Sequence, residues 1–138
     1  MSEEDVRTVM CHPSTMIGSD GLPTLDGKPH PRLYNTFARV LGHYARDLAL
    51  MPLEEAIFKM TGMAARKFDL VDRGEIREGA FADLVVFSAD GIIDKGTFEN
   101  PNQYPEGIVH VFVNGEQVID DGVHTGARPG YALRRRVA

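Results

Sequence analysis

An abrupt change of pattern near Leu70 constrains the fold of this chain more than any other feature. Before it, apolar residues recur at helical spacing. After it, Gly74, Gly79, Gly91, Gly96, Gly107, Gly115, Gly122 and Gly126 cut the sequence into short β-rich runs. This division predicts an α/β chain with two segments, residues 1–70 and 71–138. In the second segment, Leu84-Val85-Val86-Phe87 is continuously apolar, as expected for a strand covered on both faces. Ile108–Val113 and Gln117–Asp120 flank Asn114-Gly115-Glu116, and Asn-Gly readily adopts the positive φ values of a tight hairpin.

In the first segment, Ser2 and Asp5 have the spacing of a capping box, and Val6, Val9 and Met10 lie one helical turn apart. They predict a short helix that ends before Pro13. Thr15-Met16-Ile17-Gly18 reads as a short buried strand with Ser19-Asp20-Gly21 at its carboxyl end. Gly21, Pro23, Gly27, Pro29 and Pro31 then deny the chain helix or ladder geometry, leaving a loop long enough to suggest a function. Phe37, Val40, Leu41, Tyr44 and Leu48 predict an amphipathic helix over about 36–48, with Asn35 or Thr36 as its cap. Pro52 followed by Glu54 and Glu55 begins another helix, with Ala56, Ile57 and Met60 on its apolar face. Gly62 should end or bend it, and Ala64 to Phe68 supply one more turn or two.

Charge and cysteine content narrow the partners. Fifteen Lys and Arg against twenty Asp and Glu leave a net charge of −5, so no basic field exists to collect nucleic acid. The run Arg134-Arg135-Arg136 is too short for such a patch and reads as a solvated tail. Cys11 is the single cysteine and cannot form an internal disulfide. It stands beside His12, but adjacent side chains seldom aim at each other, so it is not expected to be a nucleophile. The acidic start and the lack of any 18-residue apolar run predict no signal peptide, no membrane partner and a cytoplasmic location.

Two residues attract chemical attention. Asp20 follows a short strand and precedes a loop and a helix, where barrel and open-sheet enzymes place their chemistry. The plain alternative is a turn in which Asp20 bonds nearby amides. Arg32, in His30-Pro31-Arg32, could present a planar fork of donors to a carboxylate, or could be an ordinary surface arginine. His12, His30, His43, His110 and His124 show none of the i, i+2 or i, i+4 spacings of compact metal sites. His43 reads as a helix-face residue and His110 as a strand-face residue.

Several blocks go further together. Thr15–Gly21, His30-Pro31-Arg32-Leu33 with Thr36–Tyr44, and Lys59-Met60-Thr61-Gly62 resemble the C-terminal third of the D-aminoacylases, the N-acyl-D-amino-acid deacylases of the amidohydrolase superfamily. Arg73–Phe87 resembles the superfamily's shared C-terminal strand motif, and Val111–Gly115 its following hairpin. The resemblance implies a metal-dependent (β/α)₈ barrel with a small β-sandwich, of which this chain would supply the last barrel strand, its helices and C-terminal sandwich strands. It implies that zinc serves the complete enzyme, that Asp20 touches the metal and moves a proton, and that Arg32 binds the α-carboxylate of an N-acyl amino acid. The family's His-x-His pair, bridging ligand and two further histidines have no counterpart here. The chain is also short against the roughly 250 residues of a whole barrel. It is therefore expected to be part of a deacylase that hydrolyses N-acyl-D-amino acids, inactive alone, and completed by the N-terminal part of the enzyme or by self-association. The other reading is a non-catalytic binding or assembly module on the same scaffold. With the rest of a barrel missing, the edges of residues 15–18 and the face of Phe37, Val40, Leu41 and Tyr44 are expected to lie uncovered.

Overall fold

The computed structural model describes residues 2–23 and 27–134; Arg135 and Arg136 of the basic run lie outside them. Helix α1 spans Glu3–Cys11, and the expected capping box opens it. Asp5 N–H donates to Ser2 Oγ at 3.1 Å, and Ser2 N–H donates to the Asp5 carboxylate at 2.9 Å. Glu3, Glu4 and Asp5 place negative charge at the positive end of the helix dipole.

Residues 15–18, expected as a strand, join no ladder in this chain. A strand exists by pairing, and no other described segment lies beside this one to pair with it. Its one backbone bond across the fold runs from Ile17 N–H to Lys59 C=O, 3.1 Å.

Helix α2 spans Arg32–Arg39, so it starts four residues earlier than the 36 expected from its caps. Pro31 stands at its cap with φ −51°, already suited to a helix. His30 Nδ1 accepts from Arg32 N–H at 3.0 Å, the service a capping side chain performs. Asn35 is instead inside the helix and buried. It donates to Pro31 O at 3.2 Å and Gln103 O at 2.9 Å, and accepts from Lys95 N–H at 3.0 Å.

Helix α2 continues through a π-helical stretch, Val40–Asp47. Gly42 lies against the backbone of Ile92 so closely that a Cβ there would fall well inside 3.0 Å of the Ile92 carbonyl oxygen. One turn on, Arg46 Nη1 donates to Ala89 O, Asp90 O and Ile92 O at 3.3, 3.0 and 2.7 Å. Helix α3 covers Leu53–Met60, with Pro52 one place earlier than a first helical residue. The chain breaks at Thr61, and α4, Gly62–Lys67, follows.

The core holds Met10, Ala38, Val40, Leu41, Tyr44, Ala45, Met51, Ala56 and Ile92. Val40, Leu41 and Tyr44 are therefore covered, contrary to expectation, because α1, α3 and Ile92 from the second segment close over them. Phe37 alone of that face stays open, 45% exposed.

The second segment forms one antiparallel sheet in the order β1 (Leu84–Phe87), β2 (Ile108–Val113), β3 (Glu116–Asp120) and β4 (Val123–His124). Asn114 at φ 52° and Gly115 at φ 83° make the expected two-residue turn between β2 and β3. Asp121 and Gly122, at φ 47° and 76°, repeat it before β4. Strand β1 is not covered on both faces: Val85 and Val86 are 56% and 47% exposed. It is an edge strand with one neighbour, and its last residue, Phe87, is the one that packs against the helical core. Arg73 pins its approach by meeting Asp83, Asn114 Oδ1 and Tyr131 Oη and stacking on Phe81. No helix among the described residues is long and apolar enough to cross a membrane.

Candidate active site

Asp20 and Arg32, named separately from the sequence, meet in the structure. Asp20 takes a left-handed backbone conformation, φ 47°, which a short polar side chain tolerates better than most. The next residue lies on the first turn of α2, where a Cβ at Gly21 would stand 3.0 Å from Leu33 Cα. Glycine therefore lets the loop approach the helix, and Asp20 Oδ2 reaches Arg32 Nη2 at 2.8 Å. Their side chains are 75% and 43% exposed, so the pair contributes about 0–1 kcal/mol to folding. Two groups held together at so little gain in stability remain open to a ligand.

Arg32 also borders a groove of about 920 Å³ between α1, residues 15–18, α2 and residues 94–99, beside His30, Asn35 and Phe98. His30 stacks edge-on against Phe98 at 5.0 Å. This groove has an apolar floor near Met10, Ile17 and Val40, and Arg39 and Asp94 pair at 2.9 Å on its wall.

The remaining candidates are not drawn in. His12 and His124 each accept a nearby amide, Ser14 N–H at 3.2 Å and Gly126 N–H at 2.8 Å. His43 stacks on Tyr44 at 4.9 Å, and His110 lies 3.2 Å from Asp120 Oδ1 and from Gln117 Nε2. Cys11 is exposed, its Sγ 3.7 Å from Leu50 O, while His12 Nδ1 is engaged with Ser14. Among the described residues no group of three or more His, Cys, Asp or Glu side chains could hold a metal ion. Asp20 offers one carboxylate facing a guanidinium, whereas a catalytic zinc takes about three protein ligands. This chain's donors do not by themselves fit that metal.

Two further residues shape the surroundings of the pair. Asn35, read from sequence as a helix cap, ties the start of α2 to the loop at 95–103. Lys59 is 2% exposed and sends its amine to the carbonyls of His12 and Thr15 at 2.6 and 3.2 Å. Its signal in the sequence was a lysine three residues after Ala56, on the face that the helix buries.

The same segments have close counterparts. The profile of the amidohydrolase family matches residues 4–119. The D-aminoacylase of Alcaligenes xylosoxydans xylosoxydans is 51% identical over 138 residues, all of this chain and 28% of the relative. The N-acyl-D-glutamate deacylase of the same organism is 48% identical over 135 residues, 98% of this chain and 27% of the relative. A solved structure of a D-aminoacylase with a binuclear metal centre superposes with a TM-score of 0.89 at 53% identity, over 92% of this chain and 27% of that one. The N-acyl-D-glutamate deacylase of Bordetella bronchiseptica, solved with zinc and a phosphonate inhibitor, superposes at 0.83 with 47% identity, over 86% and 25%. The chain thus spans little more than a quarter of the relatives it matches. With the match running through Asp20, Arg32 and the sheet alike, the chain belongs to the amidohydrolase family.

Proposed function

We propose that this chain supplies the carboxylate and the guanidinium of a metal-dependent, cytoplasmic N-acyl-D-amino-acid deacylase. In this reading residues 1–70 are the last strand and helices of a (β/α)₈ barrel, and residues 71–138 are strands of its β-sandwich. The observation that carries it is the 2.8 Å approach of Asp20 to Arg32 on an exposed loop and helix start. Arg32 has the planar fork that suits a substrate α-carboxylate. Such an anion, engaging Arg32, would take the place of Asp20 Oδ2 and leave that carboxylate to act as a base. Asp20 then accepts a proton from water and returns it to the leaving amine, work that typically contributes 10²–10⁴-fold. Zinc is a requirement of the whole enzyme, to which Asp20 would bring one donor; the others belong to sequence that this chain lacks.

The experiment is reconstitution. The chain is mixed with the part of a D-aminoacylase that it does not match, and amino acid released from N-acyl-D-amino acids is measured. Turnover is expected in the mixture. Asp20→Asn should lower kcat at least about 10²-fold with KM held. Arg32→Lys keeps charge but loses the fork, and should raise KM by about tenfold to a hundredfold, the equivalent of roughly 1.5–3 kcal/mol for a charged hydrogen bond. An unchanged KM would remove Arg32 from the site, and association without turnover would leave the binding or assembly module.

A further inference from the structure

The fold contains a buried amine that the proposed chemistry does not use. Lys59 lies in the last turn of α3 and is 2% exposed, on a helix face otherwise formed by Ala56, Ile57 and Met60. An amine in such a place is costly unless its donors are met, and an apolar residue would complete this face without that cost. Its donors go to His12 O at 2.6 Å and Thr15 O at 3.2 Å; Glu55 Oε1, at 3.9 Å, is beyond a hydrogen bond. The Lys59 carbonyl in turn accepts from Ile17 N–H at 3.1 Å. One residue therefore holds the chain at positions 12, 15 and 17, and these residues have no ladder of their own.

Asp20 is three residues beyond the last of these bonds. Its side chain is held by the ion pair to Arg32, which a substrate carboxylate would compete for, and Gly21 beside it rests against Leu33 of α2. The grip of Lys59 does not depend on Arg32. We infer that Lys59 is the positioning residue for Asp20, fixing the approach of residues 12–17 so that the carboxylate keeps its place when Arg32 is engaged. This rests on the deacylase reading only for what Asp20 does.

The test compares wild type, Lys59→Met, which keeps the chain length without the amine, and Lys59→Arg, which restores donors. In the 138-residue chain, Lys59→Met should speed amide exchange of residues 15–21 by at least about tenfold while α2 amides change less than about twofold; Lys59→Arg should recover part of the protection. In the reconstituted mixture, Lys59→Met should lower kcat at least about tenfold with KM held, since displacements near 1 Å can cost about 10²-fold, and Lys59→Arg should regain some of it. Equal acceleration in α2, or kcat and KM shifting together, would show a mere core residue and overturn the inference. Loss of kcat in Asp20→Asn but not in Lys59→Met would overturn the role of Lys59 alone. A kcat that survives Asp20→Asn would overturn the deacylase reading and this role with it. Should the mixture be inactive, that reading falls and the exchange rates of residues 15–21 alone decide whether Lys59 holds them.

Discussion

Substituting Gly42 by Ala sets two effects of opposite sign against each other. In a helix interior alanine is favoured over glycine by about 0.5–1 kcal/mol, so propensity alone predicts a more stable protein. The structure predicts the reverse. The new Cβ would sit well inside 3.0 Å of the Ile92 carbonyl oxygen, and the obstacle is backbone, which cannot swing aside as a side-chain tip can. Forcing a methyl group into a filled contact costs about 1–3 kcal/mol. Relief requires residues 91–93 to move outward, and Ile92 O is also the nearest of the three carbonyls held by Arg46, at 2.7 Å. Weakening that charged hydrogen bond adds about 1 kcal/mol, less than the roughly 1.5–3 of a full charged hydrogen bond because the guanidinium is partly in water and the bond is weakened rather than lost. The sum is a net loss of about 1–3 kcal/mol. Urea unfolding followed by far-ultraviolet circular dichroism measures it, with Gly18→Ala as the control. No atom lies within 4 Å of a Cβ at Gly18, so that change should stay within about 0.5 kcal/mol. A Gly42→Ala protein as stable as wild type, or more so, would refute the close approach to Ile92.

Asn35→Ala should destabilise by about 2–4 kcal/mol in the same assay, because Lys95 N–H and Gln103 O lose their partner in a buried place; a loss under 1 kcal/mol would refute this. Burial pushes the Asp83 carboxyl up, but Asn114 N–H and the bonds and charge of Arg73 outweigh it and hold it below its ordinary 3.8. A carboxylate lowered on folding stabilises the protein fully above that ordinary value and ceases to as pH falls through the lower, folded-state one. Melting temperature should therefore fall more steeply below pH 3.8 in wild type than in Asp83→Asn, and equal slopes would refute the linkage. The chain alone with added zinc should release no amino acid from N-acyl-D-amino acids above a buffer blank, since it offers one carboxylate where about three ligands are needed. Turnover abolished by Asp20→Asn would show that the chain is complete in itself.

Elements whose signals are local were legible in the sequence. The capping box of α1 spans three residues, and the Asn114-Gly115 turn carries its geometry in two. The start of α2 was not legible, because His30 and Pro31 do the work expected of Asn35 or Thr36, and Asn35 is drawn into the core by partners sixty and more residues away. The π-helical stretch and the contact of its Gly42 with Ile92 are not encoded in helical periodicity. Residues 15–18 have strand composition, but a ladder needs a partner and no described strand pairs with them. Continuous apolar character in β1 likewise announced burial on both faces, which Val85 and Val86, at the edge of the sheet, do not have. At the site, Asp20 and Arg32 were both visible by residue type and position, whereas their contact was not, since a left-handed Asp20 and a bare Gly21 create it. Lys59 stood inside a recognisable block, yet its role lies in carbonyls of residues 12 and 15, which carry no side-chain signature.

The clasp between the two segments governs where this polypeptide can be cut. Residues 88–106 grip the helices through Ile92, the Arg39–Asp94 pair, the carbonyls on Arg46, the amide of Asn35 and the bond from Lys28 Nζ to Glu99 O. The last tie to the helices before Ile76 is the Arg66–Glu75 pair at 2.6 Å; beyond it, Ile76 is 91% exposed and nothing lies within 4 Å of a Cβ at Gly79. A protease would nick the chain there, and the two pieces would remain docked and migrate as one particle. A genetic insertion would be tolerated at the same place and would be ruinous between 92 and 103. The covalent boundary between helices and sheet is therefore not the mechanical one: β1 and β2 pair in the sheet, while residues 88–106, which lie between them in sequence, are held to the helices.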